Sequence, residues 1–196
     1  QGFIKDDRII VEARLSKIEV NGIMKPLEFD FSSPFVGTDK VALIIEGKKV
    51  YVSKNYLALH SPVFSAMFLG DFVEKNKEEI ELKDVVYEEF LDLLHILYPS
   101  EKEITASTVL HILALADQFE MQSALKRAES YLMTSTKFVC TEKLQMADQF
   151  RLNDLSDHCL ISLASVNEIG ALKASPEYRN FSDAMKVAIC DRFMDF

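Results

Sequence analysis

Histidine, cysteine and clustered carboxylates are the side chains from which most hydrolytic, redox and metal sites are built, and this chain contains all three. Its four histidines, the first of which is His60, lack the HExxH spacing that places two metal ligands on one helical face. His95 and His111 lie in apolar helical runs, where a hydrogen-bonded core histidine is commoner than a ligand or base. His158 and Cys159 are adjacent, so on a helix they would point about 100° apart and form no dyad.

The three cysteines, Cys140, Cys159 and Cys190, are odd in number, and their spacing matches no metal-binding motif. Reduced structural thiols in a cytosolic or nuclear protein are therefore the favoured interpretation. The glutamates within 78–81 could be paired carboxylates, but the solvated edge of a strand is the stronger interpretation. The six glycines are too scattered to form a GxGxxG turn or a P-loop. The sequence accordingly predicts no enzymatic activity, no catalytic residue, no metal and no cofactor.

The composition is that of an acidic globular protein. The 196 residues are 48% hydrophobic and carry a formal net charge of −9, enough for one domain of ordinary size and a smaller appendage. The negative field repels phosphate backbones and anionic lipids, so neither nucleic acid nor a membrane is an expected partner. No apolar run approaches the roughly 20 residues of a membrane-spanning helix. The first ten residues also lack the apolar segment of a signal peptide.

One hydrophilic stretch, GDFVEKNKEEIE at 70–81, contains two apolar residues, Phe72 and Val73. Two alternatives explain them. Phe72 folds back into the core beneath its own loop, or it is displayed for a partner protein. The composition of the loop leaves both alternatives open.

The elements around this loop follow from periodicity and turn signals. Residues 8–20 alternate between apolar and polar and predict one half-buried strand, followed by a connector over 21–38. Within the connector, Leu27, Phe29 and Phe31 could pair as a further short strand. VALII (41–45) and KVYV (49–52) predict a hairpin around EGK. Ser61 and Pro62 then fit the N-cap and first position of a helix.

The remainder is predominantly helical. EIEL (79–82) predicts a short strand, and YEEFLDLLHILYP predicts a helix that is apolar around most of its circumference and therefore buried. A repeat follows, in which 113–132 resembles 144–163 at an offset of 31 residues, each copy reading as helix, tight turn, helix. Two further helices are expected at 167–173 and 182–194, the first with a capping box between Ser165 and Glu168. We expect burial of the apolar residues of the second copy, namely Leu144, Met146, Ala147, Phe150, Leu155, Leu160 and Leu163.

The segment VYVSKNYLALHSPVFSAMF resembles the signature of the BTB (POZ) fold, and the match continues through EIELKDVVYEEFLDLLHILYP and HILALADQFEMQSALKRAESYL. It departs from many members of that family at Ser53, where they have a histidine. The resemblance implies an α+β fold, a small sheet flanked by helices, followed by an all-α extension. GFIKDDRIIVEARLSKIEV resembles the final strand of a MATH domain, and the segment after 134 resembles the BACK or 3-box helices.

The implied domain organisation has four parts. Residues 1–22 are a remnant of the last MATH strand, 23–39 are a linker, 40–133 are the BTB domain, and 134–196 are the BACK-like extension. The chain thus resembles MATH–BTB proteins of the speckle-type POZ group, which are substrate adaptors of cullin-3 ubiquitin ligases in the cytoplasm or nucleus. Their substrates bind through the MATH domain, most of which this sequence lacks.

The resemblance also implies two binding sites. Phe72, Val73 and Glu74 match the φ-x-E motif of cullin-binding BTB domains, so they are expected to contact the N-terminal region of cullin-3. The contact is expected to extend to the turn after Phe119 and to the helical tail. A homodimer interface is expected through the first two helices, and the N-terminal strand is expected to pair with the partner's sheet. The residues assigned to the interface are Tyr56, Leu57, Ser61 and Phe64.

Two points stay open at this level. Leu57, together with Leu59 and Val63, is also expected to serve the core of its own subunit. The alternative function is a self-association module, as in BTB transcription regulators, without cullin binding.

Overall fold

The structure, a computed structural model, describes residues 4–5, 8–9, 29–34, 39–70, 78–100 and 102–194. Strand β1 (Ile4–Lys5) pairs antiparallel with β2 (Arg8–Ile9). The rest of the strand predicted over 8–20 lies outside the described residues. The predicted cullin-binding residues Phe72, Val73 and Glu74 also lie outside them.

The main sheet has three strands in the order β4-β3-β5. Strands β3 (Lys40–Ile45) and β4 (Lys48–Ser53) form the predicted antiparallel hairpin, and β5 (Glu79–Glu81) runs parallel to β3. The hairpin turns through Glu46 and Gly47, whose φ values of 50° and 76° are both left-handed. That backbone is the type I′ turn that matches the twist of a hairpin, so this prediction is confirmed.

Backbone amides on the outer edge of β4 donate hydrogen bonds to groups that do not belong to a strand. The amide of Tyr51 donates to the carbonyl oxygen of Phe31 at 2.8 Å, and the amide of Ser53 donates to the Tyr98 hydroxyl at 3.1 Å. Phe31 is buried edge-on against Tyr98. The predicted short strand is therefore reduced, within the described residues, to one backbone hydrogen bond. Leu27 of that prediction lies outside them.

Helices cover the sheet, and the central one is α3 (Tyr87–Leu97), as predicted. It is apolar on most sides and buries Phe90, Leu93 and Leu94 completely. Its last carbonyl groups are bonded by side chains from other elements, since Tyr56 donates to the oxygen of Leu97 at 2.6 Å and Arg127 donates to that of Ile96. These bonds replace the water that would otherwise solvate a helix end. The helices of this part are α1 (Lys54–His60), α2 (Pro62–Leu69), α3 (Tyr87–Leu97), α4 (Val109–Gln118) and α5 (Gln122–Thr134).

Ser61 makes α2 part of the core. Its hydroxyl oxygen accepts from the Phe64 amide at 3.0 Å, which confirms the predicted N-cap, with Pro62 at the first helical position. The same hydroxyl donates to the carbonyl oxygen of Phe119 at 2.6 Å. Phe64 and Phe119 stack with ring centroids 4.7 Å apart. The start of α2 is thereby held against the turn between α4 and α5.

The 31-residue repeat is a structural repeat. The second copy is the hairpin of α6 (Cys140–Phe150) and α7 (Asn153–Ser162). The two turns pass through Glu120 and Arg151, which have left-handed φ values of 52° and 55° and lie 31 residues apart. Each turn closes with an amide bonding to a carbonyl five residues earlier, the signature of a Schellman motif. These bonds run from Met121 to Ala116 at 2.7 Å and from Leu152 to Ala147 at 2.9 Å.

A third, altered copy of the repeat follows the second one. The sequence pattern did not predict it. Phe181 lies 31 residues after Phe150, and both are buried, as is Phe119. Here a 3₁₀ helix (Pro176–Asn180) precedes the phenylalanine in place of an α-helical end. Pro176 lacks an amide hydrogen, so α8 (Val166–Ala174) stops before it and α9 (Asp183–Met194) starts after the turn.

The predicted ends of α8 and α9 are confirmed to within one residue, and the capping box is altered. Ser165 accepts from the amide of Glu168 at 3.3 Å, as expected. The Glu168 carboxylate, however, accepts from the amide of Ala164 at 2.7 Å, one residue before the expected donor.

Carboxylates hold successive copies together. Asp117 pairs with Arg151 at 3.1 Å, and the repeat-related Asp148 accepts from the Ser182 amide at 2.6 Å. Glu129 of α5 accepts from the amide of Leu155 in α7 at 3.0 Å. The seven apolar residues predicted to be buried in the second copy are all buried. The extension is therefore packed on the first domain.

Candidate partner-binding surface

Three of the four histidines make contacts between elements. His111 Nε2 lies 2.9 Å from an oxygen of Asp92, which also pairs with Lys102 at 2.6 Å. His60 Nδ1 bonds to the Ser123 hydroxyl at 3.0 Å, and the His95 ring packs edge-on against Phe31. Across the ranges described above, no group of three His, Cys, Asp or Glu side chains is arranged to hold a metal ion. None of the described helices has the length and apolar character needed to cross a bilayer.

The three cysteines are free thiols, and Cys140 lies beside the backbone of Cys159. The Cys140 sulfur lies 3.8 Å from the carbonyl oxygen of Cys159. The neighbouring Cys159 side chain lowers the pKa of Cys140 to about 7. The Cys140 side chain, together with burial, raises the pKa of Cys159.

The loop predicted to bind cullin-3 is described at both of its ends. On one side α2 ends at Gly70, whose amide donates to the carbonyl oxygen of Ala66 at 3.0 Å. On the other side, the carbonyl oxygen of Glu78 accepts from the Ala42 amide at 2.9 Å, and β5 begins at the next residue. The residues that flank the loop are therefore the hydrogen-bonded end of a helix and the hydrogen-bonded start of a parallel strand.

A groove lies at the other end of α2. It has a volume of about 660 Å³ and runs between the turn after Phe119 and the turn after Phe150. Its polar walls are paired, with Lys126 bonded to Asp154 at 2.5 Å. The lining residues are Pro62, Asp117, Glu120, Gln122, Leu125, Lys126, Glu129, Phe150, Arg151, Leu152, Asn153 and Asp154.

The groove and the loop share α2. Pro62 lines the groove at the start of this helix, and the loop begins after its end, eight residues later. Eight residues of α-helix span about 12 Å. One protein partner of ordinary interface size could therefore contact both ends of α2 and the groove together.

Three of the four residues assigned to the dimer interface have no solvent-exposed surface. Leu57, Ser61 and Phe64 are completely buried within their own subunit. Their side chains serve the core around α2, so contact with a second subunit through them is not available in this structure. Tyr56 is half-buried, with its ring tilted against those of His60 and Tyr98 at centroid distances of 4.8 and 4.4 Å.

The exposed leucine of α1 is Leu59, at 79% exposure, so the prediction that Leu59 serves the core is wrong. Leu57 and Leu59 are two positions apart, about 200° around a helix, and therefore lie on opposite faces. Val63 is half-buried, and Leu69 at the end of α2 is 51% exposed. Apolar surface on these two helices thus lies on residues other than those predicted.

A family model, the BTB/POZ domain, matches residues 38–136. Among individual proteins, BTB and MATH domain-containing protein 38 of Caenorhabditis elegans is 37% identical over 98% of this chain. BTB and MATH domain-containing protein 36 of the same organism is 33% identical over 98% of the chain. The chain spans 50% and 60% of the lengths of these two relatives.

Two further comparisons each cover just under half of this chain. Kelch-like protein 40 of Xenopus laevis is 40% identical over 46% of this chain and 15% of its own length. The solved BTB domain of human gigaxonin aligns with 47% of this chain and 76% of that structure, at a TM-score of 0.41 and 17% identity.

Proposed function

The chain belongs to the BTB/POZ domain family, and from this we propose that it is the cullin-facing half of a substrate adaptor for a cullin-3 ubiquitin ligase. It acts by binding proteins and catalyses no reaction itself. In this proposal residues 40–133 form the BTB domain and 134–196 the BACK-like extension. Residues 1–22 are the end of a MATH domain that takes the substrate, and 23–39 link it to the BTB domain. The adaptor works in the cytoplasm or nucleus.

The observation that carries this proposal is the attachment of the helical extension to the first domain beside α2. Asp117 and Glu129 on the first domain's helices bond to the second hairpin, at Arg151 and the Leu155 amide. A partner that contacts the loop after α2 therefore meets the extension in a set orientation. That arrangement supports binding to one large partner and distinguishes the chain from an isolated oligomerisation domain.

Phe72 is the proposed anchor of the contact. A displayed aromatic side chain that enters a partner's pocket is a typical interface hot spot. Glu74 supports it by pairing with a basic group or accepting from a backbone amide of cullin-3. The groove at the far end of α2 receives the remainder of the partner.

The test measures cullin-3 binding and folding stability side by side. Phe72→Ala should weaken binding of the N-terminal region of cullin-3 by about 2 kcal/mol or more, the range of interface hot spots. Its thermal midpoint should stay near that of the wild type, and Glu74→Ala should have a smaller effect on binding. Phe68→Ala is the matched control, because Phe68 is buried on α2 and its loss should destabilise folding by about 3–5 kcal/mol.

Two results would overturn this role of the loop. One is unchanged affinity of Phe72→Ala for cullin-3. The other is a loss of stability comparable to that of Phe68→Ala, which would place Phe72 in the core. Leu110→Ala, exposed on α4, controls for non-specific effects of removing surface apolar groups.

In the proposed adaptor, the chain also forms a homodimer. The alternative function is self-association without any binding to cullin-3. The apolar residues left exposed on α1 and α2, Leu59 and Leu69, support a homodimer through these helices. A chain that dimerises but has no affinity for cullin-3 would be a self-association module of the transcription-regulator type.

A further inference from the structure

Two cysteines lie close together where the ends of the second hairpin meet. Cys140 is the first residue of α6, and Cys159 lies in the last part of α7. The Cys140 sulfur is 3.8 Å from the backbone carbonyl oxygen of Cys159 and 4.0 Å from the Ser162 hydroxyl. Cys190 lies in another cluster, where Lys173 donates to its sulfur at 3.5 Å.

The two thiols differ in access and in acidity. Cys140 is half-buried, whereas Cys159 is 2% exposed, so a small solute reaches Cys140 first. The pKa of Cys140 is lowered to about 7, chiefly by the Cys159 side chain, and Lys143 of the same helix adds to this. Ser162 acts in the same direction, and Glu168 of α8 acts in the opposite one. Cys140 is therefore the more acidic of the two thiols, and the thiolate is the nucleophilic form of a cysteine.

We propose that Cys140 and Cys159 are a redox pair that closes to a disulfide on exposure to hydrogen peroxide. The Cys140 thiolate attacks one peroxide oxygen, the O–O bond breaks, and hydroxide leaves as Cys140 becomes a sulfenic acid. The Cys159 thiol then attacks the Cys140 sulfur, the S–O bond breaks, and water leaves. The two thiols lose two electrons in total, and the peroxide is reduced to two molecules of water.

The disulfide would join the start of α6 to the end of α7. Arg151 in the turn between these helices and Asp154 in the first turn of α7 line the groove beside α2. Closure of the loop restricts opening of the hairpin, because a crosslink removes conformations from its unfolded ensemble. Oxidation therefore stabilises the hairpin that forms one wall of the groove, and reduction by a dithiol reverses it. This pair does not depend on the identity of the proposed partner.

The experiment treats the whole chain with hydrogen peroxide and counts free thiols after removal of the oxidant. We expect two of the three thiols to be lost and a crosslinked peptide that joins Cys140 to Cys159 and is lighter by two hydrogen atoms. Dithiothreitol should restore all three. Cys190→Ser should form the disulfide between Cys140 and Cys159 as the wild type does. Cys140→Ser should form no intramolecular disulfide. Hydrogen exchange over 140–162 should be slower in the oxidised chain.

Any of three results would overturn the proposal. The thiol count could stay at three, the crosslink could include Cys190, or Cys140 could proceed to a sulfinic acid without joining Cys159. Circular dichroism of each variant before oxidation separates these results from a failure to fold. A Cys159→Ala variant provides a second check, since it should stop at the Cys140 sulfenic acid, which reacts with dimedone.

Discussion

The carboxylate of Glu129, in α5, accepts a hydrogen bond from the backbone amide of Leu155, the third residue of α7, at 3.0 Å. Glu129 is 4% exposed, and Lys126 lies 3.4 Å from its other oxygen. The residue before α7, Leu152, cannot cap the helix with its own side chain. A carboxylate from the preceding hairpin therefore supplies both the missing acceptor and a negative charge at a helix N-terminus.

Glu129→Ala should lower the free energy of unfolding by about 2–3 kcal/mol, because it leaves a buried amide unpaired. Glu129→Gln keeps an acceptor oxygen, so its free energy of unfolding should fall by less than that of Glu129→Ala. Urea denaturation measures both, with Glu103→Ala at an exposed position as the control. Equal stability of Glu129→Ala and the control would show that the extension does not depend on this bond.

Glu120→Gly should stabilise the chain. The φ of Glu120 is 52°, a left-handed conformation that favours glycine over other residues. We expect a gain of about 0.5–1 kcal/mol by thermal denaturation. Ala114→Gly, at an exposed position in the middle of α4, is the matched control and should lower the free energy of unfolding by about 1 kcal/mol, because glycine destabilises a helix interior. A loss of stability in both variants would contradict the turn geometry.

Leu59→Lys should reduce self-association and leave folding nearly unchanged, because this side chain is exposed on α1. Leu57→Lys, on the opposite face, should instead abolish the folded state, since it places a charge in the core. Sedimentation at micromolar concentration, with circular dichroism, separates the two effects. If Leu59→Lys and the wild type have the same mass distribution, the outer face of α1 does not form the dimer interface.

Tyr98 makes the free energy of unfolding depend on pH in the alkaline range. Burial raises the pKa of Tyr98 to about 12 in the folded chain, against about 10 when unfolded. The neutral form is therefore favoured by folding, so its stabilising contribution is complete below pH 10 and is lost as the pH rises from 10 to 12. In Tyr98→Phe, the decrease in the free energy of unfolding over this pH range should be smaller by about 2 kcal/mol.

The measurement for Tyr98 compares urea midpoints at pH 9 and pH 11.5. Tyr131→Phe, at a half-buried tyrosine of α5, is the control. If Tyr98→Phe and the wild type lose stability in parallel, the loss arises from other groups that titrate in this range.

Much of the fold was predictable because it depends on residues close together in the chain. The hairpin around Gly47, the cap at Ser61 and the paired helices at a 31-residue offset are local patterns, and all three are present in the structure. The BTB resemblance, read from the segment around Ser61, is confirmed by the family match. The third copy at Phe181 carries the same spacing but was missed, because a 3₁₀ helix after Pro176 replaces the α-helical pattern.

The candidate site was less predictable, because exposure is set by contacts between distant segments. Leu57 and Leu59 are the same residue type on one short helix, and only its packing on the core decides that Leu57 is buried and Leu59 exposed. The Tyr56 hydroxyl bonds to Leu97, 41 positions away, and thus contributes to the end of α3. The groove beside α2 exists because two turns 31 residues apart are held side by side. The sequence determined the local elements and the family, whereas only the tertiary structure decided which side chains remain on the surface, because each face of a helix is buried or exposed by what packs against it.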